Sequence, residues 1–235
     1  KELSLIDEIN RLRTVLRQQC RENNLYDLIR QEAFEIAKRP FVPPSWLIEQ
    51  EAKRKQGIPT LFLSDWHWGE VVVPSEINWQ NEYNLQIAHQ RAKQCFEEFI
   101  RIYYSETRRE WDGLVVLLGG DMVSGDIHEE LAQTNESPTL PTVLDCSKQI
   151  CAGLELLSKY FERIIVLGVV GNHGRSTESK RYKKRVTTNY DWMIYSIVER
   201  HFAHDESFSF HIPDGSDCYY CVYDTRYLLT HGDQL

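Results

Sequence analysis

Three short, unbroken apolar runs separated by long helical stretches constrain this chain more than any other feature. Residues 59–64 (PTLFLS), 113–118 (GLVVLL) and 163–169 (RIIVLGV) lack the polar alternation of a half-exposed strand. Each must therefore be covered on both faces. Helices are expected within 78–104, over about 141–161 and around 188–203. Apolar strands alternating with helices indicate an α/β fold whose sheet is flanked by helices. Beyond residue 206 the pattern changes. Residues 207–212, 217–223 and 226–230 are closely spaced strand-like runs with turn residues between them, which reads as an antiparallel group.

The polar residues at the ends of these strands carry the chemistry. The first strand runs into Ser64-Asp65-Trp66-His67, the second into Gly119-Gly120-Asp121, the third into Gly171-Asn172-His173-Gly174, and the last into His231-Gly232-Asp233. Ligands of open α/β sheets bind at this carboxyl edge. A hard or borderline divalent cation takes carboxylate, amide oxygen and imidazole ligands. In a regular strand Asp65 and His67 share a face and could chelate one ion. Asp121, alone on its loop, suits a carboxylate shared by two ions, with Asn172 and His231 as ligands to the second. Paired ions about 3.5–4 Å apart can activate a bridging hydroxide and stabilise the attacking and leaving oxygens of a displacement. A single strand-end Asp or His is usually a turn former or cap; four such endings in one chain are not explained that way.

The series Asp65-x-His67, Gly120-Asp121, Gly171-Asn172-His173 and His231-Gly232 resembles the calcineurin-like metallophosphoesterases, over roughly residues 58–235. The resemblance implies a two-sheet β-sandwich flanked by helices and two divalent ions bridged by Asp121. Manganese is the usual ion, with iron, zinc or magnesium in some members. It also implies that His173 donates a proton to the leaving oxygen rather than binding metal. Three departures matter. The further Gly-His-x-His motif of the family does not occur before Leu235, which leads us to expect a catalytic domain truncated at its C-terminus. The acidic residue three positions after the bridging Asp is replaced by Ser124, with Asp126 two further on; Ser124 could still hold an imidazole by hydrogen bond. Gly174-Arg175 stands where an acidic residue often follows the Asn-His pair, and the planar guanidinium of Arg175 suits a substrate phosphate.

The residues downstream of His173 suggest the substrate. Arg175, Lys180, Arg181, Lys183, Lys184 and Arg185 form a basic strip in a chain of net charge -8. A polyanion beside a scissile phosphate would need such a strip, although charge runs are usually solvated loops. Trp66, Trp68, Tyr182, Tyr190 and Trp192 lie near the motifs and could stack on bases, with Trp192 better placed in the core. His128, in the loop after Asp121, is expected to rim the site and touch substrate. The leading expectation is a hydrolase: a phosphodiesterase or nuclease acting on DNA or RNA, similar to the DNA repair nucleases of this family. The alternatives are a phosphatase or phosphodiesterase for small molecules or phosphoproteins, and a non-catalytic scaffold with the same fold.

The rest of the chain adds bounds. Residues 1–57 read as a helical extension and Pro-containing linker. Leu5, Ile9, Leu12 and Leu16 mark one helix and 25–38 a second, ended by Pro40, Pro43 and Pro44. These helices could self-associate, bind a partner or dock on the domain from 58 to 235. No apolar run approaches the roughly 20 residues that cross a bilayer, and no secretory leader is visible. Six scattered cysteines look like reduced thiols, so a cytoplasmic location is expected. Cys218-x-x-Cys221 lacks the second pair of a zinc site and reads as packing. Residues 132–142, polar with two prolines, are expected to form an exposed loop.

Overall fold

The computed structural model describes residues 42–48, 57–106, 111–127, 129–177, 179 and 183–233. The helices expected within 1–38 lie outside them, as do His128, Lys180, Arg181 and Tyr182.

The three apolar runs become β1 (Thr60–Leu63), β2 (Leu114–Leu118) and β3 (Ile164–Gly168). All three are parallel neighbours in one sheet of order β1-β2-β3-β4. Every residue of β2 and β3 is buried, as the absence of alternation requires. The fourth strand, β4 (Phe208–His211), runs parallel to β3. The expectation that 207–212 belongs to an antiparallel group is therefore wrong. The connection explains it: a helix lies between β3 and β4, and a parallel neighbour needs a crossover of that kind. Phe202, just after that helix, stacks on Phe208 with ring centroids 4.1 Å apart, which fixes β4 in place.

The last two strands, β5 (Asp217–Val222) and β6 (Thr225–Thr230), form the antiparallel hairpin the sequence suggests. The hairpin lies against one face of the parallel sheet. Cys218 and Leu229 pack there with Val115, Leu117, Ile165, Leu167 and Val169. Cys218 thus serves as a core residue and Cys221 is half-buried; both thiols are free. Leu47, in the single helical turn α1 (Ser45–Ile48), joins the same cluster at 1% exposure.

Leu114, Val116, Leu118, Ile164 and Val166 point to the opposite face by strand alternation and are equally buried. Helices α2 (Leu85–Glu106), α4 (Thr139–Ser158) and α5 (Tyr190–His201) are left to cover that side. α2 starts inside the expected 78–104 stretch, where Asn84 caps it by accepting from the Ile87 N–H at 2.9 Å. The exposed loop expected over 132–142 is in part helical. A short helix, α3 (Glu129–Thr134), precedes Pro138, which is the N-cap of α4. Pro141 sits in the first turn, where its missing N–H leaves no bond unmade. The result is α/β, a parallel sheet flanked by helices on one face and by a small antiparallel sheet on the other. Among the described residues no helix is long and apolar enough to cross a membrane.

Leu154 of α4 has no exposed surface. Leu154→Ala is expected to lower unfolding free energy by about 2–5 kcal/mol. Denaturant titration should show this as a lower midpoint with an unchanged slope; an unaltered midpoint would contradict the packing of α4 as a core helix.

Candidate metal centre

The carboxyl ends of β1 and β2 leave the sheet together. Asp65 (φ 55°), His67 (φ 46°) and Asp121 (φ 50°) all take the left-handed conformation, which costs a non-glycine residue about 1–2 kcal/mol. Such backbone persists only where its surroundings over-determine it, and in this loop pair they do. The Asp65, His67 and Trp68 N–H groups donate to the carbonyls of Gly120, Asp121 and Met122 at 3.0, 3.1 and 2.9 Å, and Ser124 N–H donates back to Trp68 at 3.1 Å. Asp65 and His67 therefore do not converge by sharing the face of a regular strand, as expected. Two left-handed turns bring them together.

The ligand atoms of Asp65, His67 and Asp121 all lie within 4.8 Å of one another. Metal–ligand bonds of about 2.0–2.6 Å place two ligands of one ion no more than about 4–5 Å apart, so the trio fits a divalent cation. His67 Nδ1 is buried without a hydrogen-bond partner, and Glu70 Oε2 lies 3.6 Å from it. Asp65 is exposed, so the centre opens to solvent on that side.

His231 reaches the same carboxylate from β6. Its Nδ1 donates to the Gly119 carbonyl at 2.8 Å, and its Nε2 lies 3.2 Å from Asp121 Oδ2. Since a carbonyl only accepts, this bond fixes which ring nitrogen faces Asp121, an arrangement familiar among metal-binding histidines. The Asp121 hydrogen bond raises His231 to about 9 against the effect of burial. Burial would raise the Asp121 carboxyl, but bonds from His231 and the His173 backbone, with the charges of both histidines, hold it below its usual range.

The loop after β3 closes the site. Gly171 passes so near Asp121 that an added Cβ would lie 2.1 Å from Oδ1, which places Asn172 beside the carboxylate. His173 N–H donates to Asp121 Oδ1 at 2.7 Å, and its ring stands edge-on to His67 with centroids 4.6 Å apart. His173 Nδ1 is 3.3 Å from the Ser124 carbonyl. The imidazole is thus held by the backbone of Ser124, not by its hydroxyl as expected; that hydroxyl is buried without a partner.

Asp65, His67, Asp121, His173 and His231 are therefore gathered at one end of the sheet, with Asn172 adjoining. The basic strip is divided. Arg175 bonds its own loop, donating to the carbonyls of Asn172 (2.7 Å) and Thr177 (3.1 Å). Arg185 forms an ion pair with Asp233 at 2.6 Å. Lys183 and Lys184 are exposed. Trp68 is a core residue at 1% exposure, its Nε1 donating to Asp145 at 2.8 Å, and so cannot stack on a base; Trp192 is also buried. His89 Nε2 pairs with the same Asp145 at 2.9 Å.

Three residues escaped the sequence reading: Glu70, Asn189 and Asp191. The Asn189-Tyr190-Asp191 sequence is a helix start, and Asn189 does cap α5, but nothing local reveals that Asp191 is fully buried. Comparison of the chain with protein-family models, curated proteins and solved structures finds no match.

Proposed function

We propose that this chain is a metal-dependent phosphoesterase of the calcineurin-like kind, a phosphodiesterase whose substrate is nucleic acid. The observation that carries the reading is the convergence of the ligand atoms of Asp65, His67 and Asp121 to within 4.8 Å, with His231 Nε2 3.2 Å from Asp121 Oδ2. Asp65 and His67 would hold one divalent ion, Asn172 and His231 a second, and Asp121 would be shared. Bound ions of this kind polarise a phosphoryl oxygen and lower the pKa of water. The layer order, a parallel sheet with a hairpin on one face and helices on the other, supports the two-sheet sandwich that the resemblance implies.

The protein's own groups have distinct tasks. Hydrogen bonding of His173 Nδ1 to the Ser124 carbonyl leaves Nε2 as the atom that exchanges a proton, and His173 is the residue we assign to protonate the leaving oxygen. Such a role contributes about 10²–10⁴ in rate. Among the described cations of the strip, Lys183 and Lys184 are the exposed ones, and we assign them to meet a phosphate backbone. The exposed Asp65 leaves the centre open to a polymeric substrate.

The test is cleavage of end-labelled single- and double-stranded DNA with Mn2+, with chelator, and by Asp121→Ala. Activity should require Mn2+ and fall by more than about 100-fold in the variant, since loss of even an outer-shell partner commonly costs 10–100-fold. Hydrolysis of an aryl phosphate but not of DNA would keep the metal chemistry and refute the nucleic-acid assignment. Bound Mn2+ without hydrolysis of either substrate would favour a scaffold.

A further inference from the structure

Asp191 stands in the first turn of α5 with no exposed surface. A carboxylate tolerates such burial only when its oxygens are engaged. Its Oδ2 accepts from the backbone N–H groups of Asp121 and Gly171, and its Oδ1 from that of Met122, each at 2.9 Å. Two of these amides belong to the loop after β2 and one to the loop after β3. A single side chain therefore ties together the two strand ends that present Asp121, Asn172 and His173.

Asn189 completes the tie. Its Oδ1 accepts from Asp191 N–H at 2.8 Å, and its Nδ2 donates to the Gly171 carbonyl at 2.9 Å. Both polar groups of the Gly171 backbone are thus held by side chains from the start of α5. Three converging N–H donors demand a group that only accepts, and an ionised carboxylate is that group. An amide of the same shape would turn hydrogens of its own toward the donors. With its oxygens facing the backbone, Asp191 is not itself a ligand.

We infer that Asp191, assisted by Asn189, is the positioning residue of the metal centre, setting the separation between Asp121 and the Asn172-His173 turn. The inference rests on the metal-dependent reading of the site and adds to it the residue that preorganises the ligands.

Mn2+ binding, followed by the loss of the free-ion electron paramagnetic resonance signal, tests it without reference to turnover. Wild type, Asp191→Asn and Asn189→Ser are compared well below their melting temperatures, with far-ultraviolet circular dichroism confirming the fold. Asn189→Ser retains a good capping side chain and removes the amide donor to Gly171 without adding a buried charge, so it remains informative if Asp191→Asn fails to fold. Mn2+ affinity should drop by about 10–100-fold in Asp191→Asn and about tenfold in Asn189→Ser, the range seen for outer-shell partners. Folded variants that bind Mn2+ as wild type does, with only a lower melting temperature, would show that the tie is merely structural and overturn the inference alone. Absence of saturable Mn2+ binding by wild type would instead overturn the metal reading and this inference with it.

Discussion

Gly171→Ala is expected to abolish measurable Mn2+ binding and to lower unfolding free energy by about 3 kcal/mol or more, the upper part of the range for overpacking a rigid interior. The added methyl would lie 2.1 Å from Asp121 Oδ1, 2.5 Å from Asp121 N and 2.6 Å from Asp121 Cγ. Two of these atoms belong to the side chain at the centre of the site and the third is backbone, so no flexible group can move aside. The Gly171 peptide cannot retreat either, because Asp191 and Asn189 hold its N–H and its carbonyl. Gly120, facing it with φ 93° and an added Cβ only 2.3 Å from Gly171 N, closes the other side. Gly57→Ala is the control, since nothing lies within 4 Å of an added Cβ there. Thermal unfolding and Mn2+ titration of both variants decide the matter. A Gly171→Ala protein with the stability and metal affinity of wild type would mean that the β2 and β3 loops are free to part, and that their contact does not define the centre.

The glycine also shows what the sequence can and cannot disclose. Its place after an apolar strand and before Asn172-His173 is visible, and the candidate metal ligands can be named because each follows a strand-like run. The unbroken apolarity of Leu114–Leu118 and Ile164–Gly168 foretells strands covered on both faces, since burial is written directly into residue type. Strand partners are not written there. Phe208–His211 has the same local character whether it joins β5 or β3, and what decides is the helix connecting it to β3. The left-handed backbone at Asp65 and His67 is equally invisible, because it is imposed by hydrogen bonds to Gly120 and Asp121, more than fifty residues away. Asp191 is the clearest case. An acidic residue in the first turn of a helix ordinarily complements the helix dipole at the surface, and only the three amides brought to it by other strands turn it into a buried acceptor.

Arg185 and Asp233 lead to the second large effect. The expectation for Arg185 is contact with a substrate phosphate, yet its Nη2 lies 2.6 Å from Asp233 Oδ1, with side chains 16% and 9% exposed. Removing one partner of a buried pair leaves an uncompensated charge and typically costs about 3–5 kcal/mol. Arg185 Nε is already buried without a partner, and the guanidinium's other bond is a long one, from Nη2 to the Val170 carbonyl at 3.4 Å. Arg185→Met and Asp233→Leu are each expected to destabilise the protein by about 3 kcal/mol, a large share of the roughly 5–15 kcal/mol available to a domain. The double variant should recover much of that loss, because two apolar side chains of similar volume can replace a buried pair at little cost. The cycle therefore gives a coupling energy of about 3 kcal/mol or more, at or above the upper end for directly interacting residues. It should persist in 1 M salt, where a solvent-exposed pair would be screened at a Debye length of about 3 Å. Asp233 lies two residues beyond His231, so this pair anchors the β6 turn to the loop that descends from His173. Single variants within about 0.5 kcal/mol of wild type, the usual range for surface substitutions, would return Arg185 to the substrate-facing strip. Destabilisation with strong coupling assigns Arg185 to holding the two loops together rather than to a substrate-facing strip.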